Sequence, residues 1–224
     1  SGGPEAVLRL ERDGNVTASD VALAPGRTVF VATRPFGQPY GAGSRAPFVD
    51  EPAGSVDVQV WRAQMPPTDV APEVIAGRGR GCTITPTPVA EAQFSDLRGI
   101  AEHDGIVYVA DPVCGEVYAI GDGMVHPLLL GDRHQPTDVA VVGRWLYLTD
   151  LRDAALLRVA LTGGEPEPVL VGDPEGAPQP GGDEVNDVVD HDDVRLTEPW
   201  SVSVADDSRL LVCDGKRLLL VGID

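Results

Sequence analysis

Apolar and polar residues alternate with a period of two in four pairs of short segments, and a turn at Gly or Asp separates the members of each pair. The pairs are Asp20–Gly26 with Val29–Thr33, Gly99–Gly105 with Val107–Asp111, Asp138–Gly143 with Leu146–Asp150, and Ser201–Asp207 with Leu210–Asp214. This alternation around a tight turn is typical of a β-hairpin with one buried face. The pattern predicts an all-β chain that repeats one unit four times.

Further alternating segments follow each predicted hairpin. The third strands are Val56–Trp61, Glu116–Ile120, Leu156–Leu161 and Arg217–Val221, and the fourth strands are Glu73–Ala76, Val125–Leu130 and Pro168–Val171. A four-stranded antiparallel meander that recurs around an axis is a blade of a β-propeller. Residues 1–224 are therefore predicted to form a single propeller domain of four blades.

The last unit has no fourth strand after its third, whereas Ala6–Leu10 is an alternating segment that belongs to no unit. An unpaired sheet edge favours aggregation unless it is covered. We expect Ala6–Leu10 to supply the outer strand of the last blade and to close the ring. The alternative is that the chain is a fragment of a five- or six-bladed propeller.

Part of the repeat resembles a known family. Leu97–Asp111 followed by Gly115–Ile120 resembles the NHL repeat of six-bladed propellers, and Gly77–Gly81 resembles the glycine-rich stretch that commonly precedes such a repeat. The resemblance implies a propeller fold but no particular chemistry, because propellers have many functions. NHL-like amidating lyases and similar sugar lactonases hold metals in the central channel, but their ligand sets do not map onto positions of this chain.

Three long segments are predicted to emerge on one face of the propeller. They are residues 34–55, 77–96 and 172–199. The first joins strands 2 and 3 of a blade and the others join successive blades, and antiparallel order places both kinds of connection at the same end of the axis. Long loops often carry binding residues, although they can also fill the top of a small ring.

The chain contains 35 acidic and 17 basic residues, for a formal net charge of −18. Nucleic acid and anionic lipid are therefore disfavoured partners, since both require clustered Lys and Arg. No apolar run approaches the roughly 20 residues of a membrane-spanning helix.

The acidic charge is densest just before the last repeat. The candidate binding residues are Asp183, Glu184, Asp187, Asp190, His191, Asp192 and Trp200. Asp187, Asp190 and Asp192 offer the oxygen ligands that Ca²⁺ prefers, but the spacing of an EF-hand loop is absent. The segment is alternatively a solvated loop or a surface for a basic partner. No other cofactor is expected.

The three cysteines suggest one disulfide bond. Cys82 lies in a predicted inter-blade segment and Cys114 in the next strand 2–3 connection, on the same face, so we expect them to be bonded. Cys213 ends an apolar strand and is expected to pack as a small buried residue. The bond would indicate an oxidising, extracytoplasmic location, whereas three free thiols would fit a cytosolic protein.

Asp111, Asp150 and Asp214 recur at the end of the second strand of their units. One active site would not require the same residue in three repeats. We expect them to accept hydrogen bonds from loop N–H groups.

Catalytic chemistry has weak support in the sequence. A zinc site needs about three converging His, Asp, Glu or Cys residues, and only His134 and His191 are predicted near the long-loop face. We therefore expect a non-enzymatic, extracytoplasmic binding module that recognises a protein or glycan through this face. The alternative is a metal-dependent hydrolase or lyase with its site in the propeller channel.

Overall fold

The computed structural model describes residues 16–35, 57–65, 70–129, 134–172, 194–215 and 217–223. These residues form four small antiparallel sheets arranged as a four-bladed β-propeller, with one short 3-10 turn at Pro25–Arg27. The predicted all-β propeller is therefore confirmed. Within the described ranges, no helix is long and apolar enough to cross a membrane.

Blades 1, 3 and 4 are meanders of consecutive strands, whereas the first strand of blade 2 lies at the outer edge of its sheet, beside the last strand. Blade 1 contains β1 (Val16–Ala24), β2 (Thr28–Pro35), β3 (Val60–Gln64) and β4 (Glu73–Ala76). Blade 2 contains β5 (Thr87–Pro88), β6 (Ile100–His103), β7 (Ile106–Asp111), β8 (Glu116–Gly121) and β9 (Met124–Pro127). Blade 3 contains β10 (Pro136–Val142), β11 (Trp145–Asp150), β12 (Ala155–Ala160) and β13 (Glu167–Leu170), and blade 4 contains β14 (Pro199–Asp206), β15 (Arg209–Asp214) and β16 (Arg217–Gly222).

The structure differs from the sequence prediction in the bounds of several strands and in one additional strand; the fourth strand of blade 2, predicted as Val125–Leu130, is Met124–Pro127. The third strand of blade 1 begins at Val60 rather than at Val56. Just before it, the N–H of Gln59 donates to the hydroxyl oxygen of Thr33 (2.9 Å), and the carbonyl of Gln59 accepts from the N–H and the hydroxyl of Thr33 (3.0 and 2.9 Å). The segment 77–96 is not a wholly irregular loop, since Thr87–Pro88 forms β5 beside β9 and makes blade 2 five-stranded. The proposed closing strand Ala6–Leu10 lies outside the described residues, as do most of 34–55 and 172–199, so ring closure and the common face of these loops stay predictions.

Three apolar clusters fill the junctions between successive blades. The first joins blades 1 and 2, the second joins blades 2 and 3, and the third joins blades 3 and 4. A central blade is consequently apolar on both faces: in β8, Tyr118 packs towards blade 1 while Val117 packs towards blade 3. Burial at these junctions is the main stabilising contribution, because a single meander cannot cover either of its own faces.

A buried aspartate ends each of the strands β7, β11 and β15 and accepts hydrogen bonds from the segment that enters the same blade. The bonded N–H groups are those of Ser95 on Asp111 (2.7 Å), Gln135 on Asp150 (3.2 Å) and Thr197 on Asp214 (2.9 Å). The predicted capping role of these residues is confirmed. Each aspartate thus fixes the start of the inner strand, which lines the propeller axis.

The segment between blades 1 and 2 is held by a disulfide bond and by aromatic packing. Cys82 and Cys114 are bonded, with their Cα atoms 5.5 Å apart, which confirms the predicted pair. Phe94 of the same segment packs against Tyr118 of β8, with ring centroids 5.1 Å apart. Cys213 is partly buried and is not bonded.

We predict that a Cys82→Ser/Cys114→Ser variant has a free energy of unfolding about 3–4 kcal/mol lower than the wild type. The bond joins residues 32 positions apart, and removing it restores the loop-closure entropy of the unfolded chain. Urea denaturation of both proteins measures the difference, with Cys213→Ser as the control that leaves the bond intact. Denatured, unreduced wild-type protein should titrate as one free thiol, and three would contradict the bond.

Candidate active or binding site at the propeller axis

The four inner strands bring one repeat position together at the axis. Pairing and sequence register align Asp20 of blade 1, Gly99 of blade 2, Asp138 of blade 3 and Ser201 of blade 4. The preceding position holds a different residue in every blade: Ser19, Arg98, Thr137 and Trp200. Equivalent positions of a structural repeat that carry side chains of different chemistry indicate a functional site formed on the repeat.

These positions surround a cavity of about 240 Å³. The lining residues are Ser19, Asp20, Arg98, Thr137, Asp138, Trp200 and Ser201. All four blades contribute. The cavity lies near the beginning of β10 and β14, the end of the axis at which the inter-blade segments arrive.

Two carboxylates of this cavity join neighbouring blades. Asp20 accepts the N–H of Ile100 in blade 2 (3.0 Å), and Asp138 accepts the N–H of Val202 in blade 4 (2.9 Å). The other oxygen of each carboxylate accepts the N–H of the residue that follows it in its own strand (2.8 Å in both cases). A carboxylate oxygen has two acceptor positions, so each oxygen retains capacity for a ligand.

Burial dominates the ionisation of both carboxyls. It raises the pKa of Asp138 to about 7, where the N–H of Val202 opposes the shift and the charge of Asp20 adds to it. Burial also raises the pKa of Asp20, against the bonds from Val21 and Ile100. Asp138 therefore changes between proton donor and acceptor near neutral pH.

Gly99 leaves the space that Asp138 occupies. A Cβ atom on Gly99 would lie 2.2 Å from Oδ1 and 2.4 Å from Cα of Asp138. Separations this short exclude any side chain at position 99. Blade 2 consequently approaches blade 3 closely enough for the aspartate to face the axis.

Arg98 is the basic residue of the cavity lining. Its Nε and Nη2 atoms donate to Oδ2 of Asp96 (2.9 and 2.7 Å), and both side chains are buried. Oδ1 of Asp96 has no hydrogen-bond partner although it is buried. The ion pair is electrically balanced, so the charge of the cavity depends on Asp20 and Asp138.

Trp200 is the predicted binding residue that the structure places in this cavity. The other predicted binding residues, Asp183, Glu184, Asp187, Asp190, His191 and Asp192, lie outside the described residues, and so do the suggested Ca²⁺ ligands among them. Asp20, Arg98 and Asp138 were not identified from the sequence. Aligning the four inner strands and comparing their axial positions is the signal that could have found them.

A second group of polar side chains lies at the entrance to blade 3. It consists of His134, Asp150 and Asp153, whose potential metal-ligand atoms (a ring nitrogen and two carboxylate oxygens) lie within 4.8 Å of one another. Nδ1 of His134 is 2.8 Å from Oδ2 of Asp150. Oδ1 of Asp150 accepts the N–H groups of Gln135, Arg152 and Asp153. These are the bonds expected of a loop cap.

We predict that Gly99→Ala lowers the free energy of unfolding by about 2–4 kcal/mol, because the new methyl group overlaps Asp138 and must displace a strand. Thermal or urea denaturation measures the loss. Gly222→Ala is the matched control, since no atom lies within 4 Å of the added Cβ. Equal stability of the two variants would show that the close approach at the axis is wrong.

We also predict that the protein is more stable at pH 5 than at pH 8. Burial raises the pKa of Asp111 to about 6 and those of Glu116 and Asp138 to about 7. Because the folded state holds these protons more tightly than the unfolded state, the stabilisation is complete below about pH 4 and is lost as pH rises through 6 to 7. Urea denaturation should show a difference of about 2 kcal/mol or more between the two pH values.

Asp138→Asn tests the origin of this difference, since it removes one titrating group and should make the difference smaller. Asp206→Asn is its control: hydrogen bonds from Arg209 lower the pKa of the exposed Asp206 to about 2, so this carboxyl is ionised at both pH values. Stability that rises from pH 5 to pH 8 would contradict the assignment.

No protein-family model matches the chain, and no curated protein matches it in sequence. Solved structures do resemble it. They include a luciferin-regenerating enzyme (12% identity, TM-score 0.56) and a gluconolactonase from Xanthomonas campestris (15% identity, TM-score 0.54), which cover 90% and 97% of this chain. The chain spans 54% and 60% of the length of these two proteins.

The computationally designed protein Ika4 is similar over the whole of both chains, with 12% identity and a TM-score of 0.51. At such low identities these similarities show the fold alone. The NHL repeat therefore stays a prediction, and the chain is a four-bladed member of the propeller fold.

Proposed function

We propose that the protein is a binding module that holds a small, neutral, hydroxyl-rich ligand, such as one residue of a glycan, in the axial cavity. The observation that supports this most directly is the combination of Trp200 with two carboxylates and three hydroxyl side chains around one opening. The sequence led to the expectation of a module that recognises a protein or glycan through its long-loop face; the present proposal selects the glycan and assigns it to the axial cavity.

The size of the cavity limits the ligand. Pockets for drug-sized molecules measure about 300–1,000 Å³, whereas this cavity measures about 240 Å³. A single sugar ring suits that volume, and a longer glycan would extend out of it.

The chemistry of the lining selects for hydroxyl groups. Asp20 and Asp138 accept O–H donors through their remaining lone pairs, and the indole of Trp200 offers an apolar face for the C–H surface of a sugar ring. Two carboxylates without an uncompensated cation disfavour anionic ligands, because the Arg98 charge is balanced by Asp96. The ligand is therefore neutral and rich in hydroxyls.

The disulfide bond supports an extracytoplasmic location for this activity. Such bonds persist in oxidising compartments and are rare in the cytosol. The periplasm, the cell surface and the extracellular space all provide such conditions, together with free and polymeric glycans.

A second candidate is a hydrolase or lyase that acts in the same cavity. The raised pKa of Asp138, close to neutrality, suits a group that donates and accepts protons during catalysis. The similar gluconolactonase supports the choice of a lactone as the test substrate. A metal-dependent mechanism would additionally require a stoichiometric divalent ion in chelator-free protein.

An NMR titration tests the proposal: neutral monosaccharides and short oligosaccharides are added, and the shifts of the backbone amide and indole N–H signals are measured. We predict shifts at the N–H groups of Ile100 and Val202, which bond the two carboxylates, and at the indole of Trp200. Trp200→Ala should weaken binding by about tenfold or more, the equivalent of at least 1.4 kcal/mol. Trp145→Ala is the matched control, since Trp145 lies beside Arg144 and Arg158 and does not line the cavity.

Product formation from a sugar lactone, measured in a pH-stat with the same samples, separates the two candidates. Turnover that Asp138→Asn abolishes would favour the enzyme. Absence of shifts across the panel, or equal binding by the Trp200→Ala and wild-type proteins, would contradict the axial binding site.

A further inference from the structure

Among the described residues, one face of blade 1 is exposed, whereas the same face of every other blade is covered by the preceding blade. On each inner strand, the residue that follows the axial position points towards the preceding blade: Ile100, Val139 and Val202 are 5%, 3% and 4% exposed. The equivalent residue of blade 1, Val21, is 55% exposed. Leu23, two residues further along β1, is 68% exposed. We call this surface the blade 1 face.

The complementary face of blade 4 is exposed in the same way. In each of the strands β3, β8 and β12, one apolar residue points towards the following blade: Val60, Val117 and Leu156 are all 0% exposed. Their equivalent in β16, Leu218, is 51% exposed. Leu220, on the same side of β16, is 54% exposed. We call this surface the blade 4 face.

The apolar clusters give the same result independently. Each of the three clusters joins two consecutive blades, and within the described ranges no cluster joins blade 4 to blade 1. The residues of β16 that do enter a cluster, Leu219 and Val221, point back towards blade 3. In the part of the chain that the structure describes, three junctions are therefore filled, and the two faces that would form a fourth are exposed.

We propose that these two faces form an interface between copies of this chain, in which the blade 4 face of one copy packs on the blade 1 face of another. At each of the three internal junctions, the face that one blade turns towards the following blade packs against the face that the following blade turns back towards it. The described residues of one chain leave one face of each kind exposed, and a second copy supplies both. The contact is therefore head-to-tail and continues the junctions already present.

The energetic argument is the same as for the internal junctions. Burial of Val and Leu side chains stabilises a contact in proportion to the apolar area that is removed from water. Exposed apolar residues that are contiguous and regularly placed mark interaction surfaces. The net charge of −18 opposes association at low ionic strength, so salt should strengthen the contact.

Sedimentation velocity or light scattering of the full chain, over a range of protein concentrations, tests the proposal. We expect the mass of a dimer or a larger head-to-tail oligomer, populated increasingly with concentration and with salt. A mass of one chain under all conditions would overturn the proposal, and that is the result expected if another part of the same chain covers the two faces.

Two variants separate the faces. Val21→Lys/Leu23→Lys alters only the blade 1 face, and Leu218→Lys/Leu220→Lys alters only the blade 4 face, so each variant alone should have the mass of one chain. A mixture of the two should associate again, because each supplies the intact face that the other lacks.

The control variant is Ile84→Lys/Val171→Lys, which alters exposed apolar residues away from both faces and should associate like the wild type. Far-UV circular dichroism verifies that each variant is folded. Association of either single-face variant on its own, or failure of the mixture of folded variants to associate, would overturn the head-to-tail contact.

Discussion

Burial of apolar side chains between consecutive blades is the interaction on which the rest of the structure depends. Each sheet is apolar on both faces, as the opposite orientations of Val117 and Tyr118 in one strand demonstrate, so a blade is stable only between neighbours. Hydrogen bonds within the sheets fix the register but do not join one sheet to the next. The blades are joined by side-chain packing and by a few polar bonds near the axis.

Those polar bonds also create the cavity. Asp20 and Asp138 reach from one inner strand to a backbone N–H of the next, which holds two carboxylates at the axis against the cost of desolvation. The same burial raises their pKa values. The same two side chains therefore join neighbouring blades and supply the titratable groups of the cavity.

The sequence was sufficient to predict the hairpins, the blades and the capping aspartates, because each depends on local periodicity or on a residue repeated in register. The Cys82–Cys114 bond was predictable because the strand order places both cysteines in connections on one face. It was insufficient for the cavity. Asp20, Arg98 and Asp138 are far apart along the chain, and only the arrangement of inner strands about an axis brings them together. Trp200 was identified because an aromatic residue beside a proline at a strand entrance stands out locally, whereas β5 consists of two residues and carries no periodic signal.

The axial position is Asp, Gly, Asp and Ser in blades 1 to 4. Among these four described residues, the two aspartates accept a hydrogen bond from a backbone N–H of the next inner strand. Blades 1 and 2 are therefore tied as one pair and blades 3 and 4 as another. A repeat of this kind has a period of two blades rather than one. Duplication or loss of a pair would preserve the alternation at the axis, whereas gain or loss of a single blade would set two aspartates or two small residues side by side.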